Sequence, residues 1–305
     1  MLRYRLISAL AIISTALVFV WLDARTVSCP GFWMVPLGIY LIFGSACECV
    51  WMVGRSRYGS IAWPALLGCG GVFTASCVPV FWRLSGEPYP DECLLGALGW
   101  PLAASAIALV GCFAWYLTSY QPGADFLIRA ILSGWISVYF GICFAFAVAL
   151  RLVGAPAWGL YLLVGIIVIT KFSDAGAYFA GRACGRTKLC PNVSPGKTIE
   201  GLIGGMLTAT VVSWIYFAVA GPWVFAGEQI ETSVIGLCIL AIALTTAGVI
   251  GDLLESVFKR EMGCKDSGRL LPGLGGLWDV TDSLLPSSVV GYLAVVAEII
   301  QGPGQ

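Results

Sequence analysis

The sequence predicts an all-α integral membrane protein that crosses the bilayer several times. Of its 305 residues, 59% are hydrophobic and only 11% are charged, whereas about a quarter of the residues in soluble domains are charged. Apolar runs long enough to cross a bilayer, roughly 20 residues each, recur along the chain. Backbone groups in the hydrocarbon core must satisfy their own hydrogen bonds, so we expect these runs to be helices.

The apolar runs predict about nine transmembrane helices. The first run follows a short basic segment and lacks a small-residue cleavage site after it, so we interpret it as a membrane helix and not as a signal peptide. The second run contains a single acid, Glu48, close to its end, where we expect the carboxylate to reach the interface. The predicted spans cover residues 6–22, 32–53, 61–82, 94–117, 127–150, 157–171, 202–219, 234–250 and 284–300.

The positions of the basic residues predict the orientation. With nine spans, most of the Lys and Arg residues fall on the side of the N-terminus, and the opposite loops hold Asp23, Arg151 and several acids. The N-terminus is therefore predicted to be cytoplasmic, together with two polar segments, residues 173–200 and 251–283. Without a signal or transit peptide, the expected location is a bacterial inner (plasma) membrane, with any site that the two polar segments form on its cytoplasmic face.

The composition excludes some kinds of site. The chain has no histidine, so histidine-based catalysis and histidine metal ligands are excluded. Most of its twelve cysteines lie in apolar runs, where cysteine acts as a small apolar residue, and no spacing resembles a zinc site. We divide the chain into N-terminal transmembrane helices, 1–125, and a catalytic transmembrane domain, 126–305, which carries both polar segments.

Segment 251–283 concentrates acids in a chain that has few of them. If the eighth helix continues past Gly251, then Asp252, Glu255 and Lys259 share one face, because residues three or four apart are neighbours on a helix. Clustered carboxylates repel one another unless a cation holds them, and hard oxygen ligands favour Mg²⁺. A solvated, charge-balanced interfacial loop is the alternative. Six acids lie in the segment; the five considered for a site are Asp252, Glu255, Asp266, Asp279 and Asp282, and the sixth is Glu261.

Basic residues and glycines are interleaved with these acids. Lys and Arg beside a metal commonly bind phosphate charge, and the glycines of residues 272–276 would let the backbone approach a ligand closely. The basic residues are Lys259, Arg260, Lys265 and Arg269.

Segment 173–200 has a weaker phosphate-binding pattern. Asp174, Tyr178 and Arg182 are spaced to line one face of a helix. The run 194–198, Ser-Pro-Gly-Lys-Thr, offers hydroxyls and one lysine in a turn, but it lacks the spacing of a P-loop. An ordinary basic cytoplasmic loop is the alternative for this segment.

Both segments resemble a known family. The run S-V-F-K-R-x4-K-D-S-G-x2-L-P-G-x-G-G-x2-D-x2-D, residues 256–282, is similar to the signature of phosphatidate cytidylyltransferases, also called CDP-diacylglycerol synthases, and Gly-Asp-Leu-Leu-Glu at 251–255 extends it. The runs D-x-G-A-Y-x-x-G-R and S-P-G-K-T-x-E-G, within 174–201, resemble the same family. The N-terminal spans contribute no recognisable motif.

The resemblance implies a nucleotidyltransferase of phospholipid biosynthesis. Its reaction joins CTP and phosphatidate to give CDP-diacylglycerol and diphosphate, with metal-assisted attack of the lipid phosphate on the α-phosphate of CTP. The attacking oxygen is already anionic, so positioning and charge neutralisation carry most of the reaction. The resemblance implies Mg²⁺ and allows a second, monovalent cation such as K⁺. Expected partners are CTP, phosphatidate or a related lipid phosphate, membrane lipids and a second copy in a homodimer, with no nucleic acid.

The resemblance also assigns roles to residues of this chain. For the metal we predict Asp252 and Asp279, then Asp266 and Asp282, although Asp266 beside Lys265 is also open to a structural ion pair. The residues assigned to catalysis are Asp252, Lys259, Arg260, Lys265, Asp266 and Asp279. The residues assigned to substrate binding are Asp174, Tyr178, Arg182, Ser194, Lys197, Thr198, Ser256, Arg269, Gly275 and Gly276.

Two positions depart from the family pattern. Leu274 stands where the family usually has histidine, and Val280 stands where it usually has arginine. These departures keep a catalytically degenerate homologue as one alternative. A membrane transporter of lipids or ions is the other, although acids at helix ends and the lack of inverted repeats count against it.

Overall fold

The computed structural model describes residues 2–87, 89–90, 92–118, 120–121, 125–226, 228, 230–268, 271, 273 and 275–303, with the backbone alone for residues 2–6. Nearly all regular structure in these ranges is helical, and the strands there form two antiparallel pairs. The predicted all-α class is confirmed. By their internal contacts the residues group into two units, Met1–Leu152 with Lys259–Thr281, and Val153–Phe258 with Asp282–Gln305.

The first unit is built on packed helices, with α3, α5 and α6 in mutual contact and α2 packed on α3 and α6. Segment 251–283 is called the C-terminal motif from here on. Its short helix α11 packs against α2. Fully buried Ile42, Met52, Phe140 and Trp278 lie in its core. Its helices are α1 (Leu2–Arg25), α2 (Met34–Arg55), α3 (Ala62–Ser76), α4 (Val78–Arg83), α5 (Gly96–Leu117), α6 (Phe126–Leu152) and α11 (Trp278–Thr281).

The second unit centres on α7, which packs against α8 and α12. A π-helical segment, Ile215–Ala220, follows α8 directly. The strands pair as β1 with β2 and β3 with β4. The elements are α7 (Pro156–Cys184), β1 (Lys188–Cys190), β2 (Ser194–Thr198), α8 (Ile199–Trp214), α9 (Gly221–Val224), β3 (Glu231–Thr232), α10 (Val234–Glu261), α12 (Leu284–Val296) and β4 (Ile300–Gln301); the end of α10, from Lys259, groups with the first unit.

Seven helices in the described part of the chain are long and apolar enough to cross a membrane. The predicted span 61–82 is divided at Cys77 into α3 and α4, where Pro79 lies in the first turn of the second helix, a position that tolerates its missing N–H. The last predicted span forms the 13-residue α12. The multi-pass membrane character is supported, while the count of nine, the orientation and the division at residue 125 stay predictions.

Two helices extend beyond their apolar runs and carry motif residues with them. Helix α7 continues past Lys171 to Cys184, so Asp174, Tyr178 and Arg182 are helical as predicted. Helix α10 continues past Gly251 to Glu261, which meets the condition under which Asp252, Glu255 and Lys259 share one face.

Candidate active site

Three carboxylates of the second unit form a cluster. Asp252 and Glu255 lie three residues apart on α10, and Asp282 precedes α12; one oxygen from each lies within 4.8 Å of the other two. A Cβ at Gly251 would overlap the carbonyl of Asp282, so glycine at this position allows α10 to pack closely against the backbone of Asp282. Glu255 and Asp282 are buried, at 1% and 6% exposure. The sequence and its resemblance predict Asp252 and Asp282 as ligands, but not Glu255.

Burial and the mutual repulsion of its acids disfavour the fully charged form of this cluster. Burial raises the pKa of Asp282 to about 6; the Lys171 ammonium opposes this shift, and the carboxylates of Asp252 and Asp174 add to it. Three hard oxygen donors that repel one another, two of them buried, fit a hard divalent cation. The donor set is therefore suited to Mg²⁺.

Helix α7 contributes a hydrogen-bonded group next to Asp282. Lys171 Nζ donates to Ser283 Oγ over 2.9 Å, and Ser283 Oγ donates to Asp174 Oδ2 over 2.9 Å. The Ser283 backbone N–H donates to Asp282 Oδ1 over 2.6 Å. The sequence analysis predicted Asp174 but missed Lys171, which it treated as the end of a membrane span.

The second polar segment reaches the cluster through Lys197. Its Nζ lies 2.7 Å from Asp252 Oδ2 and 3.3 Å from the carbonyl of Val249. Ser256 Oγ donates to the other oxygen of Asp252 over 3.3 Å. The structure thus brings together four residues predicted from the two segments: Lys197, Asp252, Ser256 and Asp282.

Thr198 and Ser194 have local surroundings that the sequence did not predict. Thr198 is the N-cap of α8, where its Oγ1 accepts a hydrogen bond of 3.1 Å from the Gly201 backbone N–H, a common way to satisfy the first turn. Ser194 is half-buried on β2, opposite Cys190. Their predicted substrate contacts stay predictions.

In the first unit, Asp279 is held by several donors. Lys259 Nζ lies 2.6 Å from Asp279 Oδ1, while Ser267 Oγ and the Gly276 N–H each donate to Oδ2 over 2.7 Å. Burial alone would raise the pKa of Asp279, but the bonds from Lys259, Gly276 and Ser267 outweigh it and lower that pKa. Asp279 is therefore a stable carboxylate with a lysine counter-ion.

Glu48 corrects one expectation from the sequence. Its side chain does not reach an interface: the residue is 5% exposed. Its carboxylate accepts hydrogen bonds from the backbone N–H groups of Leu277 and Trp278 and from Ser267 Oγ. These donors from the C-terminal motif replace the hydrogen bonds that the carboxylate would form with water, so its burial is tolerated.

The remaining assigned residues are less closely engaged. Arg260, Lys265 and Asp266 are exposed, and Lys265 and Asp266, both within the described ranges, form no ion pair with each other. Tyr178 and Arg182 are exposed and hydrogen-bonded to each other over 3.3 Å. Arg269 and Leu274 lie outside the described residues.

The two assigned glycines lie against side chains of their own unit. Gly275 has φ of +100°, in the region that favours glycine, and a Cβ there would overlap the carboxylate of Asp279. A Cβ at Gly276 would overlap Glu48 and Ser267. These contacts explain both glycines by close packing, and their predicted approach to substrate stays a prediction.

Comparison with known proteins identifies the family. A model of the cytidylyltransferase family matches residues 3–297. The chain is 46% identical over 129 residues to the phosphatidate cytidylyltransferase of Haemophilus influenzae, covering 42% of this chain and 43% of that protein. It is 37% identical over 192 residues to the uncharacterized protein YnbB of Escherichia coli, covering 63% and 60%. It is 31% identical over 288 residues to the phosphatidate cytidylyltransferase of Mycobacterium leprae, covering 89% and 82%.

Coverage differs among these relatives. The match spans about half the length of several of them, including 43% of the Haemophilus influenzae protein and 52% of the Bacillus subtilis phosphatidate cytidylyltransferase. The family model nevertheless extends over nearly all of this chain and includes its N-terminal helices. The chain therefore belongs to the cytidylyltransferase family.

Proposed function

We propose that this protein is a phosphatidate cytidylyltransferase, which converts CTP and phosphatidate to CDP-diacylglycerol and diphosphate. The observation that carries the proposal is a contact between the two family-like segments. Lys197 of one segment pairs with Asp252 of the other, and Asp252 belongs to the cluster with Glu255 and Asp282. The family match and the phosphatidate cytidylyltransferases among the chain's relatives support the same reaction.

The proposed reaction is a displacement at phosphorus. An anionic oxygen of phosphatidate forms a bond to the α-phosphorus of CTP, and the bond from that phosphorus to the oxygen bridging to the β-phosphate breaks. The bonding electron pair leaves with diphosphate. No proton has to be removed from the nucleophile, because its oxygen is already anionic. The protein's task is to align two anions and to neutralise their charge.

We assign the neutralising groups from their placement. Lys197 and Lys171 are half-buried cations within the second unit, and each lies beside acids of the candidate site. When substrate phosphates enter, these ammonium groups are suited to bind phosphate oxygens as point charges. Lys259 is the corresponding cation of the first unit, where it pairs with Asp279.

We propose that Asp252, Glu255 and Asp282 hold Mg²⁺. Bound there, the ion would neutralise phosphate oxygens and stabilise the charge that moves to diphosphate. Two of the three carboxylates are oriented by local donors: Ser256 Oγ donates to Asp252, and the Ser283 N–H donates to Asp282. Asp279 and Asp266 as further ligands, and a second cation such as K⁺, remain predictions from the resemblance.

We further propose a bacterial inner-membrane location with the site on the cytoplasmic face. CTP is a cytoplasmic nucleotide, and the phosphate of a membrane lipid lies at the interface, so both substrates meet only there. The polar ends of α7 and α10, which carry Asp174 and Asp252, extend past apolar runs as an interfacial site requires. A homodimer remains a prediction.

The test is turnover by the purified protein in detergent, with CTP, phosphatidate and Mg²⁺ supplied together or singly. We expect CDP-diacylglycerol and diphosphate in equal amounts, only when all three are present. Asp252→Asn should abolish this turnover in a folded protein, while Glu261→Gln, an exposed acid at the end of the same helix, should keep it. A folded wild-type protein that binds CTP but makes no product would favour the degenerate homologue instead.

A further inference from the structure

The N-terminal half of the chain supplies a buried acid that the proposed chemistry does not use. Glu48 lies on α2 and is 5% exposed. Its Oε1 accepts from the Leu277 N–H over 2.9 Å, and its Oε2 accepts from the Trp278 N–H over 3.0 Å and from Ser267 Oγ over 3.1 Å. All three donors belong to the C-terminal motif.

The motif is shaped around this carboxylate. A Cβ at Gly268 would overlap Glu48 Oε1, and a Cβ at Gly276 would overlap Glu48 Oε2. Backbone therefore lies directly against both oxygens, at an approach that only glycine permits. The two glycines give evidence independent of the hydrogen bonds that this segment is fitted to an acid at position 48.

One of these donors also lies against Asp279. Ser267 Oγ is 3.1 Å from Glu48 Oε2 and 2.7 Å from Asp279 Oδ2, so its one proton is shared between the two carboxylates, and the Gly276 N–H donates to the same oxygen of Asp279. Asp279 in turn pairs with Lys259 over 2.6 Å. Glu48 thus fixes the segments on both sides of Asp279, at Ser267 and at Leu277 with Trp278.

The chemistry of these contacts calls for a carboxylate. Two amide N–H groups and a hydroxyl converge on the side chain, and a carboxylate is an acceptor at both oxygens. A glutamine of the same shape would offer one oxygen, and its NH₂ group would face the backbone N–H of Leu277 or of Trp278. A buried donor left without an acceptor is costly, so the segment would shift away.

We propose that Glu48 is a positioning residue for nucleotidyl transfer, which holds residues 267–279 so that Asp279 and Lys259 keep their placement toward substrate. The inference rests on the proposed function. It assigns to the N-terminal helices a direct part in organising the active site, through one side chain that carries no recognisable motif.

The test compares Glu48→Gln with Asp23→Asn in the full-length protein. Asp23 is a matched control, because it is another buried acid of the first unit that accepts two backbone N–H groups, from Gly31 and Trp33. Turnover is measured per folded molecule, well below the unfolding temperature of each variant, and hydrogen exchange is measured at Leu277 and Trp278 without substrate.

We expect Glu48→Gln to lower turnover by about 10- to 100-fold, the range typical for residues that orient ligands of a site, and to speed exchange at Leu277 and Trp278. Asp23→Asn should lower the unfolding temperature while turnover per folded molecule stays near that of the wild type. Ser267→Ala, a milder change, should lower turnover less, and the losses from Ser267→Ala and Glu48→Gln should not multiply in the double variant.

The outcomes separate this inference from the proposed function. Full turnover in Glu48→Gln, or unchanged exchange at Leu277 and Trp278, would overturn the positioning role while the enzyme stands. Multiplicative losses in the double variant would also overturn it. A wild-type protein without turnover would instead remove the proposed function, and with it the role of Glu48.

Discussion

Lys197 and Asp252, which belong to the two separate polar segments, form an ion pair of 2.7 Å. The lysine lies on β2, just before α8, and the aspartate lies on α10. The pair is partly exposed, with side-chain exposures of 20% and 42%, so its contribution to stability is small, roughly 0–1 kcal/mol. Its value is in placing a cation next to the carboxylate cluster, where anionic substrates are proposed to bind.

Lys197→Met tests this cation. Methionine keeps most of the apolar stem and removes the charge, so we expect a folded protein whose kcat/KM for CTP falls by about 100-fold, the size of effect seen when one electrostatic donor is removed from an active site. Steady-state kinetics and a thermal unfolding curve in detergent measure the two properties separately. Lys188→Met, an exposed lysine of the neighbouring strand, is the matched control and should be near wild type. Equal kinetics in both variants would remove Lys197 from the site.

Glu255→Gln tests the acid that the sequence analysis did not assign. Glu255 is 1% exposed and lies in the three-acid cluster, so its carboxylate contributes charge where a cation is proposed. We expect the Mg²⁺ concentration for half-maximal turnover to rise by at least about tenfold, because one charged ligand becomes neutral. The Mg²⁺ titration is repeated with Glu261→Gln, and an unchanged titration in Glu255→Gln would leave Glu255 outside the cation site.

The sequence carried enough information for the helices and for the two motif segments. Apolar runs and clustered charges are local signals, and the spacing of Asp252, Glu255 and Lys259 places them on one face of a helix that continues past Gly251, as α10 does. Glu48 had no such signal, because a single acid near a helix end is usually interfacial, and its donors lie in a distant part of the chain. The break near Cys77 does have a local signal, because Pro79 interrupts the predicted span 61–82.

Lys171 and Glu255 show a second limit of what the sequence predicts about the site. Lys171 ends an apolar run, and nothing in the run itself indicates that the helix continues or that Ser283 will lie within 2.9 Å. Glu255 was visible among the acids, but the resemblance favoured Asp279 and Asp266 as ligands. Which acids converge depends on how α10 packs near the start of α12, and that packing is not encoded in the spacing of residues along one helix.

Asp23 and Arg151 allow a prediction about stability within the first unit. They form a buried ion pair of 2.5 Å, with side-chain exposures of 0% and 2%. Removing one partner leaves the other charge buried, which typically costs roughly 3–5 kcal/mol. We expect Arg151→Met to lower the thermal unfolding temperature strongly.

The double variant Asp23→Asn with Arg151→Met is the informative control for that pair. It leaves no buried charge behind, so we expect it to be more stable than Arg151→Met alone, as measured by thermal unfolding in the same detergent. If the double variant instead loses the sum of both single effects, the two side chains are not energetically coupled.

Asp282 connects the stability of the protein to pH and to the proposed cation. Its folded-state pKa is raised to about 6 by burial, against the opposing Lys171 charge and with the help of nearby acids. An acid with a raised pKa in the folded state contributes stability below its ordinary pKa of about 4, and that contribution is lost as the pH rises through about 6. In the presence of a chelator, the wild-type unfolding temperature should therefore fall between pH 5 and pH 7.5, by an amount that corresponds to on the order of 1 kcal/mol.

Asp282→Asn isolates this effect, because the amide does not ionise. We expect the variant in chelator to lose less stability than the wild type over the same pH interval. At pH 7.5, added Mg²⁺ should raise the unfolding temperature of the wild type, since the ion would neutralise the clustered acids, and should raise that of Asp282→Asn much less. An equal gain from Mg²⁺ in both proteins would mean that the ion acts elsewhere, and it would remove Asp282 from the proposed ligands.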